Sequence, residues 1–141
     1  MVILHLGVND VIYPARFTVK RGEVTTGQVA ERLEKTYGIM GFFADSNGQS
    51  IADEAVQTYL DVLSGKDTRQ YGESLTVKSI KSKFTNFIDS KAMDGKTAGV
   101  PTKASLLGKS KKLKRSSGPI RPSFKDSWLY EDNFRAWIDT K

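Results

Sequence analysis

Apolar positions recur with two different periods along this chain, and the change of period divides it. Residues 2–6 and 11–13 are short β-prone runs, and Gly7-Val8-Asn9-Asp10 between them is the predicted loop of an N-terminal hairpin. Pro14 stops the second run, and Phe17-Thr18-Val19 resumes as a strand before Arg21-Gly22. From there the spacing turns helical. Thr25 or Thr26 caps a first helix in which Val29, Leu33 and Tyr37 fall at i, i+4 and i+8, and Gly38 stops it. Met40, Phe42 and Phe43 form an apolar knot assigned to the core. Ser50 then caps a second helix with Asp53 in the capping-box position, an apolar face of Ile51, Ala55, Tyr59, Val62 and Leu63, and Gly65 as its end. If Asn47-Gly48 is only a distortion, residues 39–64 form one longer, kinked helix instead. A third helix is predicted over about 75–93: Val77, Ile80, Phe84, Phe87 and Ile88 share one face, and Lys78, Lys81, Lys83 and Asn86 the other.

From 94 to 122 the periodicity collapses into Gly, Pro, Lys and Ser, and no aromatic occurs between Phe87 and Phe124. A loop this long in a compact domain is usually functional or disordered. It is expected to be irregular and to make most of its contacts outside its own subunit. Apolar density returns in Phe124, Trp128, Leu129, Tyr130, Phe134, Trp137 and Ile138. Asp126 or Ser127 caps a short helix from Trp128, and the alternation of Phe134, Ala136 and Ile138 predicts a closing strand. So aromatic a tail must dock, either on the chain's own core or on a neighbour. The expected fold is α+β: an N-terminal β-hairpin, about three amphipathic helices, a long basic loop and an aromatic C-terminal helix/strand segment. One domain spans 1–141, with its core at 1–94, a basic arm at 95–125 and the docked segment at 126–141.

Composition narrows the function classes. With 141 residues the chain is one ordinary domain, and an apolar share of 38% leaves part of it outside the core. The absence of cysteine removes disulfides, thiolate nucleophiles and thiolate metal sites together. No apolar run approaches the roughly 20 residues that span a bilayer, so no membrane partner is expected. The opening residues read as a strand, not a signal peptide. The net charge of +6 is local: residues 95–125 hold Lys96, Lys103, Lys109, Lys111, Lys112, Lys114, Arg115, Arg121 and Lys125 and no acid, so the rest of the chain is net negative. A concentrated field of this kind steers polyanions or acidic partners.

Catalytic chemistry finds little support. His5 is the only histidine, and inside a strand it reads as a packed or half-exposed residue rather than a general base. Asp45, Asp53 and Glu54 are spaced unlike a calcium loop and fit helix ends and solvent faces. Gly95-Lys96-Thr97 and Gly108-Lys109-Ser110 imitate phosphate loops, but Ser90 and Lys103 stand where the first glycine is needed. Adjacent Glu131-Asp132 predicts nothing by itself. No catalytic residue, metal ligand or cofactor is assigned. The basic cluster Lys109, Lys111, Lys112, Lys114, Arg115, with Arg121, suits phosphate contact without base reading, and it lacks the interleaved aromatics of a single-strand platform. A merely solvated loop explains it about as well, and acidic faces of neighbouring subunits are a third reading.

Two stretches carry a family resemblance. Thr25-Thr26-Gly27-Gln28-Val29-Ala30-Glu31-Arg32-Leu33-Glu34, running on to Tyr37-Gly38-Ile39-Met40, resembles the N-terminal helix of small virion proteins of tailed bacteriophages. Arg121-Pro122-Ser123-Phe124-Lys125-Asp126-Ser127-Trp128-Leu129-Tyr130, followed by Phe134-Arg135-Ala136-Trp137-Ile138, is similar to their closing pattern, Arg-Pro-Ser-Phe, one residue, then Asp-Thr-Gly-Leu-Tyr. Ser127 and Trp128 depart from it, standing in place of Thr and Gly. The resemblance implies a structural protein of the neck or tail-completion type, made in the host cytoplasm and residing in the virion. It would act in a ring of copies of itself, against neighbouring neck and tail proteins. In that setting Phe124, Trp128, Tyr130, Phe134 and Trp137 anchor the C-terminal segment, and the basic cluster touches a neighbour or packaged DNA. The alternative is a small basic nucleic-acid-binding accessory protein.

Overall fold

Thr25 begins the first helix as its sequence position demands. In the computed structural model, which describes residues 2–14, 24–108, 119–125 and 129–140, the Thr25 hydroxyl accepts the Gln28 N–H at 3.2 Å. The Gln28 side chain accepts the Thr25 N–H at 3.4 Å in return, completing a capping box. Helix α1, Thr26–Tyr37, follows the strand β1, Val2–Val8. Gly38 ends α1 in the left-handed region (φ 62°, ψ 42°), where a side chain would be strained, and α2, Ile39–Leu63, starts at the next residue. The Glu34 carboxylate accepts the N–H groups of Met40 and Gly41 at 2.7 and 3.2 Å, so a side chain of α1 caps the orphan donors of α2.

The longer alternative for the second helix holds. Asn47-Gly48 does not interrupt α2, and the Asn47 amide donates to the Phe43 carbonyl at 3.1 Å along the helix. Ser50 is therefore a mid-helix residue and not a cap. The third helix, α3, covers Arg69–Asp89, starting earlier than expected because Thr68 caps it by accepting the Tyr71 N–H. It also stops short of Met93: after the Ser90 cap the chain turns through Lys91, whose φ of 55° is incompatible with continuing the helix. A one-turn helix α4, Lys103–Leu106, and another, α5, Leu129–Asp132, precede the last strand β2, Phe134–Thr140.

The N-terminal hairpin is not formed. β1 pairs antiparallel with β2, from the other end of the described chain, in the register Val8↔Phe134, Leu6↔Ala136 and Leu4↔Ile138. Residues 9–13 instead bind the start of α1. The buried Thr26 hydroxyl donates to the Asn9 carbonyl (2.6 Å) and accepts the Val11 N–H (2.8 Å), while the Asp10 carboxylate accepts the Gly27 N–H (2.8 Å). Beyond them, Ile12 bridges Thr25. Alternation reveals that a strand exists but not which strand it pairs with. The expected strand at Phe17-Thr18-Val19 lies outside the described residues.

The register decides where the core lies. Leu4, Leu6, Val8, Phe134, Ala136 and Ile138 share the inner face of the two-stranded sheet. Phe134, 2% exposed, stacks on Phe84 of α3 at 4.0 Å between ring centroids and meets Phe43 of α2 edge-on at 5.9 Å. Phe43 and Phe84 are themselves perpendicular at 5.2 Å, and Ile39, Ile80, Phe87 and Ile88 close the cluster. The tail therefore docks on the chain's own core, giving a mixed α+β fold whose two ends meet.

Phe134→Ala should destabilise the chain by about 3–5 kcal/mol in urea titrations, as for other large-to-small changes at buried aromatics. Ending the chain after Asp126 removes β2 with Tyr130, Phe134 and Ala136, a loss comparable to a whole domain's stability of about 5–15 kcal/mol. Circular dichroism of the shortened chain should show no cooperative thermal transition. A native-like helical spectrum with a sharp melt would mean that the core forms without β2.

Candidate interaction surfaces

Three of the predicted C-terminal anchors, Phe124, Tyr130 and Phe134, pack in or against the subunit's own core. Phe124, half-buried, lies against Tyr37 of α1 at 5.1 Å, and Tyr130 is 3% exposed with its ring edge toward Phe84. Burial, with the nearby Glu34 charge adding to it, pushes the Tyr130 hydroxyl well above the ordinary tyrosine range. On the outer face of the sheet, Trp137 stacks on His5 at 5.0 Å, Arg135 lies over the same indole, and His5 Nε2 is 2.9 Å from Asp139. His5 is the half-exposed strand residue expected. Trp128 lies outside the described residues.

Lys125, counted among the cations of the arm, points inward. It is 5% exposed and sits between the Asp89 carboxylate at the end of α3 and Glu131 of α5, the latter at 3.1 Å. Burial opposes its charge, but hydrogen bonds to Asp89 and Glu131 outweigh it and hold the ammonium above the ordinary lysine range. Lys81, on the polar face of α3, donates to the Asp132 carbonyl at 2.9 Å and ties α5 a second time.

The described flanks of the basic arm contact their own subunit, and the α4 turn interrupts the irregular loop expected over 95–122. Val100 and Ser105 are buried, and α4 is capped by Thr102, whose hydroxyl accepts the Ser105 N–H at 3.2 Å. The two feet of the arm are stapled together: Thr102 N–H donates to the Ser123 hydroxyl (3.0 Å), the Ser105 and Ser123 hydroxyls are 3.2 Å apart, and Arg121 N–H donates to the Ser105 carbonyl (3.2 Å). Small hydroxyls eighteen to twenty-one residues apart in sequence give no pattern that betrays this staple. Lys109, Lys111, Lys112, Lys114 and Arg115 lie outside the described residues, and Arg121 is half-buried at the base. Around that base Lys103, Leu106, Leu107 and Ile120 are exposed, Leu107 by 58% and Ile120 by 65%.

A second exposed surface lies where α2 turns into α3. The two helices approach closely at Gly72, where a Cβ would come within 2.6 Å of Thr58 Cγ2, and the Thr58 and Thr76 hydroxyls hydrogen-bond at 2.8 Å. Beside this contact runs an open groove of about 260 Å³ walled by Glu54, Asp61, Asp67 and Leu75. Lys83 at 2.8 Å, then Ser79 at 2.7 Å, hold the Glu54 carboxyl below the ordinary range. Val56, Leu60 and Leu63 project outward from α2, and Leu63, assigned from sequence to the inner face, is 84% exposed. Sequence reading passed over Val56 and Leu60. Their signal was available: they lie outside the face that already suffices to pack α2, so the helix carries more apolar surface than its core contact uses.

Lys125→Met leaves Glu131 buried without its cation and should cost about 3–5 kcal/mol at pH 8. Because the folded lysine titrates above its unfolded value of 10.5, the contribution is complete below that pH and is lost as the pH climbs through the folded value. Urea titrations of wild type and Lys125→Met should differ fully at pH 8 and converge only in strongly alkaline solution. Equal stabilities at pH 8 would show that the buried pairing is not stabilising.

Compared with protein-family models, with curated proteins and with solved structures, the chain matches none.

Proposed function

We propose that the chain is a structural virion protein of a tailed phage, part of the neck or tail-completion ring that joins head to tail, and that it acts by binding rather than by catalysis. The observation that carries the binding role is a contrast in burial. The core is closed by the chain's own last strand, yet large apolar side chains stay exposed at the α2–α3 turn and at the base of the arm. Grouped apolar exposure on a folded chain marks interaction surfaces. The assignment to a phage particle rests on the resemblance of the 25–40 and 121–138 stretches. A ring of identical subunits suits a chain whose exposed patches differ from one another, because unlike patches join head to tail and close by rotation.

The acid-free basic run at 95–125 favours a second reading, that of a nucleic-acid-binding accessory protein. In the ring the same run meets an acidic neighbour or the DNA that passes through.

Deleting the gene in the phage that encodes the chain should leave filled heads and tails unjoined, and immunogold labelling of complete particles should mark the head–tail junction. Label confined to the nucleoid or ribosomes would reject the virion assignment. Duplex DNA binding by the free chain that is steeply salt-dependent, and lost when Lys109, Lys111, Lys112, Lys114 and Arg115 become Ser, would then favour the second reading.

A further inference from the structure

Two groups of exposed apolar residues stand together, one along α2 and one at the base of the arm. On α2 the outward stripe is Asp53, Val56, Leu60 and Leu63, spaced i, i+3, i+7 and i+10, with the last three 59%, 53% and 84% exposed. At the base of the arm, Lys103 and Leu106, at i and i+3 of α4, and its capping residue Leu107 are all exposed. Ile120 adjoins them, since its neighbour Arg121 donates its N–H to the Ser105 carbonyl.

The arm base packs over the C-terminal end of α3: Phe87, Ile88 and Met93 line one small cavity with Val100, Ser123 and Phe124. The α2 stripe ends at Leu63, beside the N-terminal end of α3. The 21 residues of α3 separate those ends by about 30 Å. The other end of the stripe, Asp53, lies next to the Glu54 that bonds Ser79 and Lys83 of α3, yet the whole stripe and the arm base both stay exposed, so a copy does not lay its α4 on its own stripe.

Charge selects the partner. Helix α2 contains Asp45, Asp53, Glu54 and Asp61 and no Lys or Arg, whereas Lys91, Lys96 and Lys103 are exposed on the flank of the arm. Two α2 stripes face to face would set Asp53 against Asp53 if parallel and against the apolar Leu63 if antiparallel, giving the carboxylate no cation either way, while α4 brings Lys103 to Asp53 and leucines to leucines.

We propose that copies of this chain join head to tail, with the α2 stripe Asp53-Val56-Leu60-Leu63 of one copy covered by Lys103, Leu106, Leu107 and Ile120 of the next. The proposal deepens the assembly reading and rests on its premise that the chain binds itself. The contact joins two different patches, so each copy keeps one free for a further neighbour. It thus propagates into a ring or a filament rather than stopping at a dimer.

The chain lacks cysteine, so single introduced thiols report unambiguously. Leu60→Cys and Leu107→Cys chains, mixed at high concentration under oxidation, should give a covalent pair containing one of each, while either variant alone should give little. Both positions are exposed, so the variants should fold, which circular dichroism checks. In the same chains without thiols, Asp53→Lys and Lys103→Glu should each weaken association about tenfold, and together restore it. Disulfide formation by Leu60→Cys alone would overturn the head-to-tail arrangement in favour of a symmetric contact. Oligomers in sedimentation with no mixed disulfide would overturn this interface and leave the virion assignment, judged by the particle labelling, standing. Absence of both oligomer and disulfide at millimolar chain would overturn self-association through these patches.

Discussion

The stack of Phe134 on Phe84 joins the beginning, middle and end of the described chain. Phe134 opens β2, whose other edge partner is β1, so the ring that enters the helical core also brings residue 8 to residue 134. Phe43 meets both rings edge-on, which sets α2 against α3 at the same point. A two-stranded ribbon has little stability alone in water, and this one depends on the helices beneath it. The helices depend on it in turn, because Phe134 and Ala136 close the core that α2 and α3 line.

Polar contacts then hold the irregular segments to that core. Lys125 ties α5 to the end of α3, the Ser105–Ser123 pair closes the base of the arm, and Thr26 fastens the chain leaving β1 to the start of α1. Each is buried or half-buried and, Lys125–Glu131 apart, joins residues at least fifteen apart, so each helps define one arrangement of loops that have little apolar surface of their own. Much of what remains exposed and apolar lies along α2 and at the base of the arm, and the Ser105–Ser123 pair holds the second of these in place. A patch held in place by such contacts carries a lower ordering cost on binding.

The local features of the fold were legible because their causes are local. The span of α1 follows from a Thr25–Gln28 box at one end and Gly38 at the other, and β2 follows from the alternation of Phe134, Ala136 and Ile138. The amphipathic face of α3 was likewise readable, although its first turns were not. Thr68 looks like any polar loop residue until it is seen accepting the Tyr71 N–H. Asn47-Gly48 misled for the converse reason, since the dipeptide that favours turns is tolerated inside a helix that stays unbroken between the buried Phe43 and Ile51.

The sequence by itself determined that this chain has helices of these faces, a closing strand, no cysteine chemistry and a basic run at 95–125. Only the tertiary structure decided that β1 pairs with β2, that Lys125 points inward while Leu63 points outward, and that the flanks of the arm are stapled. The physical reason is separation along the chain. Caps and periodicities act over three or four residues, whereas strand pairing, a buried ion pair and the exposure of an extra apolar stripe depend on which distant segment occupies the space beside them.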